Sequence, residues 1–135
     1  MLHCSVFILV KYHPYQASYF NGFIGGISGA QGNFDIDFWG TPQKEAVEFL
    51  NENAPPGSFV HIVMAQTTAS VYLRPDLLRN VNKKNIGQSD YIVLLNRQSF
   101  FELYRISPQD LMLNNQLVFS RKIDGVVLVW VFKSS

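Results

Sequence analysis

Short apolar blocks alternate with polar segments along this chain, and their lengths predict two buried strands. Residues 59–65 are nearly continuous apolar sequence, and residues 91–95 repeat that character. Strands that read as unbroken apolar runs are typical of sheets that are covered on both faces, usually with parallel neighbours. The chain therefore reads as an α/β domain whose sheet is parallel through its centre.

Helical spacing of apolar residues predicts one longer helix before the first of these strands. The apolar positions fall at i, i+3 and i+4 with two flanking residues: Ala46, Val47, Phe49, Leu50 and Ala54. Thr41 suits the cap position, Pro42 suits the first helical position, and the Pro-Pro-Gly sequence at residues 55–57 ends the helix. Residues 74–78 and 98–105 predict two shorter helices.

The last apolar block predicts a β-hairpin. Asp124-Gly125 is a strong signal for a two-residue turn. Counting outward from that turn gives three pairs: Ile123 with Val126, Phe119 with Trp130, and Leu117 with Phe132. The strand before the turn carries polar residues on one face and is expected at the sheet edge, whereas residues 126–132 are expected inside. The sum is a single three-layer-like α/β domain with a mixed sheet, a parallel centre and a C-terminal antiparallel hairpin.

Residues 34–38 alternate strictly between apolar and acidic residues. This pattern predicts a half-buried strand with Asp35 and Asp37 together on its polar face. Two carboxylates two positions apart point the same way along a strand, and such a pair is able to hold a divalent metal that bridges a sugar diphosphate. The solvent face of a strand also needs polar residues. Asp35 and Asp37 are therefore metal candidates, with an ordinary surface role as the alternative.

The beginning of the chain combines an apolar segment, residues 2–10, with a glycine-rich segment, residues 22–32. Crossing a bilayer takes about 20 apolar residues, so the apolar segment is too short to span one by itself. We expect residues 1–32 to be the end of a membrane helix and a glycine-rich connector, and residues 33–135 to be a soluble α/β domain. The alternative is that residues 2–10 form a first buried strand.

Composition excludes several classes of function. The chain has 135 residues, a net charge of +1 and a single cysteine. A nucleic-acid-binding protein is expected to show a basic excess or stripe, so no nucleic-acid partner is expected. One cysteine forms no internal disulfide, and the three histidines lack the spacing of metal ligands. No cofactor is expected.

Two aromatic residues and one arginine are the candidates for ligand contact. Trp39 and Tyr72 would suit a surface on which a sugar stacks, with Arg74 beside them as a further sugar or acceptor contact. Aromatic residues in α/β domains also serve the core, which is the alternative for Trp39 and Tyr72. Arg74 with Asp76, and Asn96 with Arg97, are expected to fix loop geometry by hydrogen bonding. These residues do not build a recognisable catalytic site.

The chain also resembles one family of membrane enzymes, over residues 12–132. The matching stretches are His13-Pro14-Tyr15-Gln16, Tyr19-Phe20-Asn21, Gly25-Gly26, Gly29-Ala30, Asp37-Phe38-Trp39-Gly40, Lys44-Glu45-Ala46, Leu50-Asn51, Ala54-Pro55-Pro56-Gly57, Arg74-Pro75-Asp76-Leu77, Asp90-Tyr91, Asn96-Arg97 and Asp124-Gly125-Val126. They resemble the C-terminal segment of multi-spanning membrane glycosyltransferases related to protein O-mannosyltransferases and aminoarabinose transferases. Members of this family use sugars linked to polyprenyl phosphate.

The resemblance implies an accessory role. In the family, a bundle of transmembrane helices precedes a soluble domain on the extracytoplasmic, or periplasmic, face of the membrane. The family's catalytic carboxylates lie in an earlier loop, so the resemblance assigns no catalytic residue to this chain. The implied partners are the transmembrane portion of the same parent protein and, through it, a polyprenyl-phosphate sugar and an acceptor. The alternative function is a stand-alone small α/β binding or interaction protein.

Overall fold

The computed structural model describes residues 2–37 and 39–135 as helices and strands joined by short loops. The α-helices are α1 (Leu2–Tyr12), α2 (Gly26–Ala30), α3 (Gln43–Asn53), α4 (Gln66–Ser70), α5 (Pro75–Asn80), α6 (Gln98–Tyr104) and α7 (Pro108–Asn114). The strands are β1 (Val60–Ile62), β2 (Tyr91–Leu95), β3 (Asn115–Ile123) and β4 (Val126–Ser134). Single 3-10 turns lie at Gln16–Ser18, Gly22–Ile24 and Ile86–Gln88.

The four strands form one mixed sheet in the order β1-β2-β4-β3. β1 and β2 are parallel, with Val60 opposite Tyr91, and the other two pairs are antiparallel. The α/β fold class is confirmed, and so are the strand at residues 91–95, the edge position of β3 and the interior position of β4. The predicted parallel centre is wrong: the parallel pair β1 with β2 lies at one side of the sheet, and the middle pair β2 with β4 is antiparallel, because β4 of the C-terminal hairpin lies between β2 and β3.

Helices cover both faces of this sheet and make it the middle of three layers. One face packs against α3 and the α4–α5 segment, with Leu50, Leu77 and Val131 fully buried there. The other face packs against α6 and α7, where Trp130 and Phe132 are buried with Leu111. The predicted helices at α3, α5 and α6 are confirmed, although α3 begins at Gln43 with Pro42, not Thr41, in the cap position.

The hairpin register differs from the predicted one at a single pair. Leu117 lies opposite Phe132 and Ile123 opposite Val126, as predicted, but Phe119 pairs with Val131 instead of Trp130. Register shifts lie between Leu117 and Phe119 and between Arg121 and Lys122, and they displace the residues between them by one position. An inserted residue of this kind is a β-bulge, which simple counting from the turn does not detect.

Residues 34–37 form no strand, so the strand predicted at residues 34–38 is wrong over its described part; Phe38 lies outside the described residues. The prediction that Asp35 and Asp37 share a polar face is wrong as well, because Asp37 is fully buried while Phe34 is half exposed. The physical reason is hydrogen bonding by the two carboxylates. Asp35 accepts from the backbone N–H of the distant Ser99 and Asp37 from that of Gly40, three residues on, and these bonds hold the backbone in a loop.

The apolar segment at the start of the chain is helical. α1 covers Leu2–Tyr12, so the alternative of a first buried strand at residues 2–10 is wrong. Within the described part of the chain, no helix combines the length and the apolar character needed to cross a membrane. The division of the chain after residue 32 stays a prediction.

The glycine-rich segment folds onto the sheet instead of forming only a connector. Ile27 and Ala30 of α2 are buried in one cluster with Ile36, and with Val126 and Leu128 of β4. Gly25 ends the preceding turn with a positive φ of 82°, and Gly29 lies so close that a Cβ there would meet the backbone oxygen of Ile24. The glycines therefore permit a close backbone approach that side chains would block.

Candidate functional site

Two of the sequence-predicted contact residues, Trp39 and Tyr72, lie on the same small groove. Trp39 belongs to the loop before α3, and Tyr72 follows α4. Trp39 is 70% exposed and Tyr72 is 45% exposed, so neither ring serves the core. The groove has a volume of about 220 Å³, and its remaining lining residues are Gly40, Thr41, Lys44, Thr68 and Ala69. We call it the aromatic groove.

A buried carboxylate holds the loop that carries Trp39. Asp37 is fully buried, and its Oδ1 accepts a hydrogen bond of 2.5 Å from the backbone N–H of Gly40. The Ser18 hydroxyl donates to Oδ2 of the same carboxylate at 3.5 Å, and the backbone N–H groups of Trp39 and Thr41 also favour its charged form. Burial raises the pKa of Asp37 above its usual value, and these hydrogen bonds only partly offset that effect. Asp37 is therefore a positioning residue for the aromatic groove.

Gly40 is the residue that lets this loop pass close to β1. Its φ is +75°, and a Cβ at that position would lie 2.9 Å from Oε1 of Gln43 and 3.4 Å from Cβ of Ala65. Gln43 is itself fully buried and donates from Nε2 to the backbone oxygen of Met64 at 2.5 Å. The start of α3 is thus fastened directly to the residues that follow β1.

The chemistry of the aromatic groove is that of binding. The Lys44 ammonium lies 5.3 Å from the centre of the Tyr72 ring, which places one cation over an aromatic face. Two exposed rings with hydroxyl and ammonium groups between them suit a small amphipathic ligand with an apolar face, such as a sugar ring. Among the described residues that line this groove there is no carboxylate, histidine or cysteine.

Arg74, the third predicted contact residue, does not line the aromatic groove. Its Nη1 donates to the backbone oxygen of Asn51 at 2.5 Å, and its Nη2 donates to that of Ala54 at 2.6 Å. Its Nε donates to Asp76 at 2.9 Å. The guanidinium thus ties the end of α3 to the start of α5, which confirms the prediction that Arg74 and Asp76 fix loop geometry.

The two metal candidates are held by different partners. Asp35 accepts from the backbone N–H of Ser99 at 2.9 Å, from its hydroxyl at 2.7 Å and from Nε of Arg97 at 3.2 Å. Desolvation alone would raise the pKa of Asp35, but these hydrogen bonds lower it below its usual value. Asp37 bonds to the loop before α3, as described above. Across residues 2–37 and 39–135, no group of three or more His, Cys, Asp or Glu residues is placed to hold a metal ion.

A second and larger groove was not predicted from the sequence. It has a volume of about 900 Å³ and lies beside the carboxyl end of β1, between residues 61–66, residues 82–86, the end of α6 and α7. Because four separated segments contribute to it, no local pattern indicates it. The sequence signal that points there is the concentration of asparagine at Asn82, Asn85, Asn114 and Asn115. We call it the amide groove.

Comparison of this chain with protein-family models, with curated proteins and with solved structures found no match in any of the three.

Proposed function

We propose that this chain is a non-catalytic accessory domain of a membrane glycosyltransferase that uses a polyprenyl-phosphate sugar. In this proposal the domain lies on the extracytoplasmic, periplasmic face, and its partner is the transmembrane portion of the same parent protein. The sugar donor and the acceptor are bound through that parent. The resemblance of residues 12–132 to the C-terminal segments of such enzymes motivates the proposal, and the observation that carries it is the surface of α1.

α1 is apolar and yet exposed. It has no Asp, Glu, Lys or Arg before Lys11, and among its described side chains Val6, Phe7, Leu9 and Val10 are 55–72% exposed. A helix that is hydrophobic all round is stable when it is buried in a protein core or in a membrane. Eleven helical residues extend about 16 Å, roughly half of the hydrocarbon thickness of a bilayer. The exposed surface of α1 therefore fits burial against lipid or against transmembrane helices.

The end of α1 is fastened to the α/β domain. Nζ of Lys11 lies 2.8 Å from the Asp124 carboxylate, and the Tyr12 hydroxyl donates to the same carboxylate at 2.9 Å. The Tyr12 and Tyr19 rings meet edge to face with centroids 5.3 Å apart. Lysine and tyrosine are typical of the membrane–water boundary. This arrangement supports a domain that lies directly beneath a membrane.

Flotation of the whole chain with neutral phosphatidylcholine vesicles tests this proposal. We expect the chain to float with the vesicles and the double variant Phe7→Asp/Val10→Asp to stay behind, because two charges on α1 oppose transfer into the apolar layer. The matched control is Val71→Asp/Leu113→Asp, which changes two equally exposed apolar residues elsewhere on the surface. Failure of the unchanged chain to float, or equal loss in the control, contradicts the proposal. So does transfer of sugar from a polyprenyl-phosphate donor by the chain alone at enzyme-like rates.

The second candidate function, a stand-alone small binding protein, is favoured by the amide groove, which is large enough for a small ligand. Deletion of residues 1–10, which removes most of α1, distinguishes the two candidate functions. Since the described side chains of α1 before Lys11 are mostly exposed, we expect the melting temperature to change by less than about 3 °C. A larger fall would mean that α1 is part of the core of a self-sufficient protein and would contradict the accessory-domain proposal.

A further inference from the structure

The amide groove occupies the position where α/β sheets commonly bind ligands. It opens at the carboxyl end of β1, and the residues that follow this strand, Val63 to Gln66, form one wall. Crevices outside the carboxyl ends of parallel strands are the usual ligand sites of open α/β sheets. Apolar side chains, including Ile86, Ile106 and Leu111, contribute to the lining together with polar ones. A largely apolar surface with a few convergent polar groups is typical of a small-molecule site.

Left-handed backbone at non-glycine residues is concentrated around this groove. Outside glycine, the described residues with positive φ are Ala65 at 51°, Asn82 at 49°, Arg105 at 51° and Asp124 at 46°. Asp124 belongs to the hairpin turn, where this conformation is required. The other three all line the amide groove, although they come from separate segments of the chain. Arg105 is the C-cap of α6 and asparagine tolerates this conformation, so the costly case is Ala65, and such costly backbone clusters at functional sites.

Asn82 closes the free edge of the sheet at the groove wall. Its Oδ1 accepts from the backbone N–H of Ile62 at 2.7 Å, and its Nδ2 donates to the backbone oxygen of Ile62 at 3.0 Å and to Oε1 of Gln66 at 2.9 Å. This side chain substitutes for a neighbouring strand along β1. The groove wall formed by β1 is therefore preorganised by Asn82. The other polar side chains of the amide groove are not needed to complete the edge of the sheet.

Several polar groups in the groove have hydrogen-bonding capacity left over. The side chains of Asn85 and Arg105 make no hydrogen bond with the described part of the chain. Asn115 donates from Nδ2 to the backbone oxygen of Leu111 at 3.0 Å, which leaves its amide oxygen as an acceptor. Tyr104 stacks on Phe100 with ring centroids 5.7 Å apart and remains 51% exposed.

We propose that the amide groove is a binding site for a neutral saccharide. Amide side chains both donate and accept, as sugar hydroxyls do, and an exposed tyrosine ring suits the apolar face of a sugar. Charge in the groove is nearly balanced: Arg105 is opposed by Asp110, whose carboxylate accepts from the Ser107 hydroxyl at 2.6 Å. Lys84 lies over the Phe59 ring at 3.6 Å, outside the set of groove-lining residues. The groove thus lacks the cluster of cations that phosphate recognition uses. This inference does not rest on the proposed membrane function.

Nuclear magnetic resonance titration of the whole ¹⁵N-labelled chain tests the inference. The probes are three neutral trisaccharides, maltotriose, mannotriose and chitotriose, with inorganic phosphate and glucose 1-phosphate for comparison. We expect at least one neutral trisaccharide to shift the backbone amide signals of Ala65, Asn85 and Arg105. We expect Tyr104→Leu and Asn85→Ala each to weaken that binding about ten-fold.

Matched control variants show whether the saccharide binds in the amide groove or elsewhere. Tyr72→Leu changes the aromatic groove and Asn53→Ala removes an exposed amide on α3, so both are expected to bind as the unchanged chain does. The inference is overturned if no neutral trisaccharide shifts these signals, if only the phosphate-containing probes bind, or if Tyr72→Leu abolishes binding while Tyr104→Leu and Asn85→Ala do not. Each of these outcomes is independent of vesicle flotation.

Discussion

Replacing Arg74 by alanine removes the group that joins the end of α3 to the start of α5. In the intact chain its guanidinium donates to the backbone oxygens of Asn51 and Ala54, which lie at the C-terminal end of α3. Carbonyls at the end of a helix lack partners within the helix, so cationic side chains satisfy them well. Arg74→Ala leaves both oxygens without this donor and shortens a half-buried side chain.

The expected loss follows from the two carbonyl bonds. Hydrogen bonds that involve a charged group contribute about 1.5–3 kcal/mol each, and partial access of water to the vacated oxygens reduces this. Together they give an expected loss of about 2–4 kcal/mol in the free energy of unfolding. The ion pair with Asp76 adds little, because both side chains remain accessible to water. With an unfolding entropy of about 2.1 cal/mol/K per residue, the melting temperature should fall by roughly 7–14 °C.

Urea unfolding followed by circular dichroism measures the loss. Arg79→Ala is the matched control, because Arg79 is an exposed arginine in the last turn of α5, and it should change stability by less than about 0.5 kcal/mol. Arg74→Lys, which keeps the charge but not the planar fork, should fall between the two. If Arg74→Ala matches Arg79→Ala within error, Arg74 does not fasten α3 to α5, and a role in ligand contact becomes the better account.

Three further results are expected. Because hydrogen bonds hold the pKa of Asp35 below its usual value, Asp35→Asn should be less stable than the unchanged chain at pH 7, and the difference should shrink as pH falls below about 4 in pH-dependent urea unfolding. Burial raises the pKa of Asp37, so the pH dependence of its contribution to stability has the opposite sign: stability falls as pH rises from about 4 through the raised pKa. Asp37→Asn should remove this fall in stability. If the fall persists in Asp37→Asn, it belongs to another group. The pKa of Tyr12 is raised to about 12 by burial and, next, by the hydrogen bond and charge of Asp124. Asp124→Asn keeps a residue suited to the turn and should lower the pKa of Tyr12 in a spectrophotometric titration. An unchanged pKa would show that burial acts alone.

Elements whose signal is local were predictable from the sequence. α3 carries its helical spacing and its Pro-Pro-Gly stop within one segment, and the hairpin carries its Asp-Gly turn. β2 was recognisable because a strand buried on both faces is apolar throughout, and β1 because apolar residues flank the half-buried His61. β2 has the predicted bounds, whereas β1 covers only Val60–Ile62 of the predicted residues 59–65.

Elements that depend on distant contacts were not predictable. Alternation at residues 34–38 indicated a strand, yet Asp35 bonds to Ser99, 64 positions away, and these contacts decide the local backbone. α7 was not predicted: Ser107 caps it by accepting from the N–H of Asp110, and Leu111 is buried against the sheet. The register shifts between β3 and β4 change the pairing of Phe119 by one residue, which no count from the turn reveals.

Some residues of the candidate site were likewise predictable from the sequence, and others were not. In the sequence, Trp39 and Tyr72 are aromatic candidates for contact with a sugar, and the structure brings both to the aromatic groove. Arg74 was grouped with them but faces the end of α3 instead. The amide groove combines residues from four segments, so its asparagines acquire a common surface only when β1, α6 and α7 are folded together.

The nucleotide sequence immediately upstream of the codon for Met1 tests the central claim most directly. If the chain is an accessory domain of a membrane glycosyltransferase, we expect the open reading frame to continue upstream, in frame, through several apolar spans of about 20 residues each. A stop codon and a ribosome-binding site directly before Met1 would contradict the claim and make the chain a free-standing binding protein.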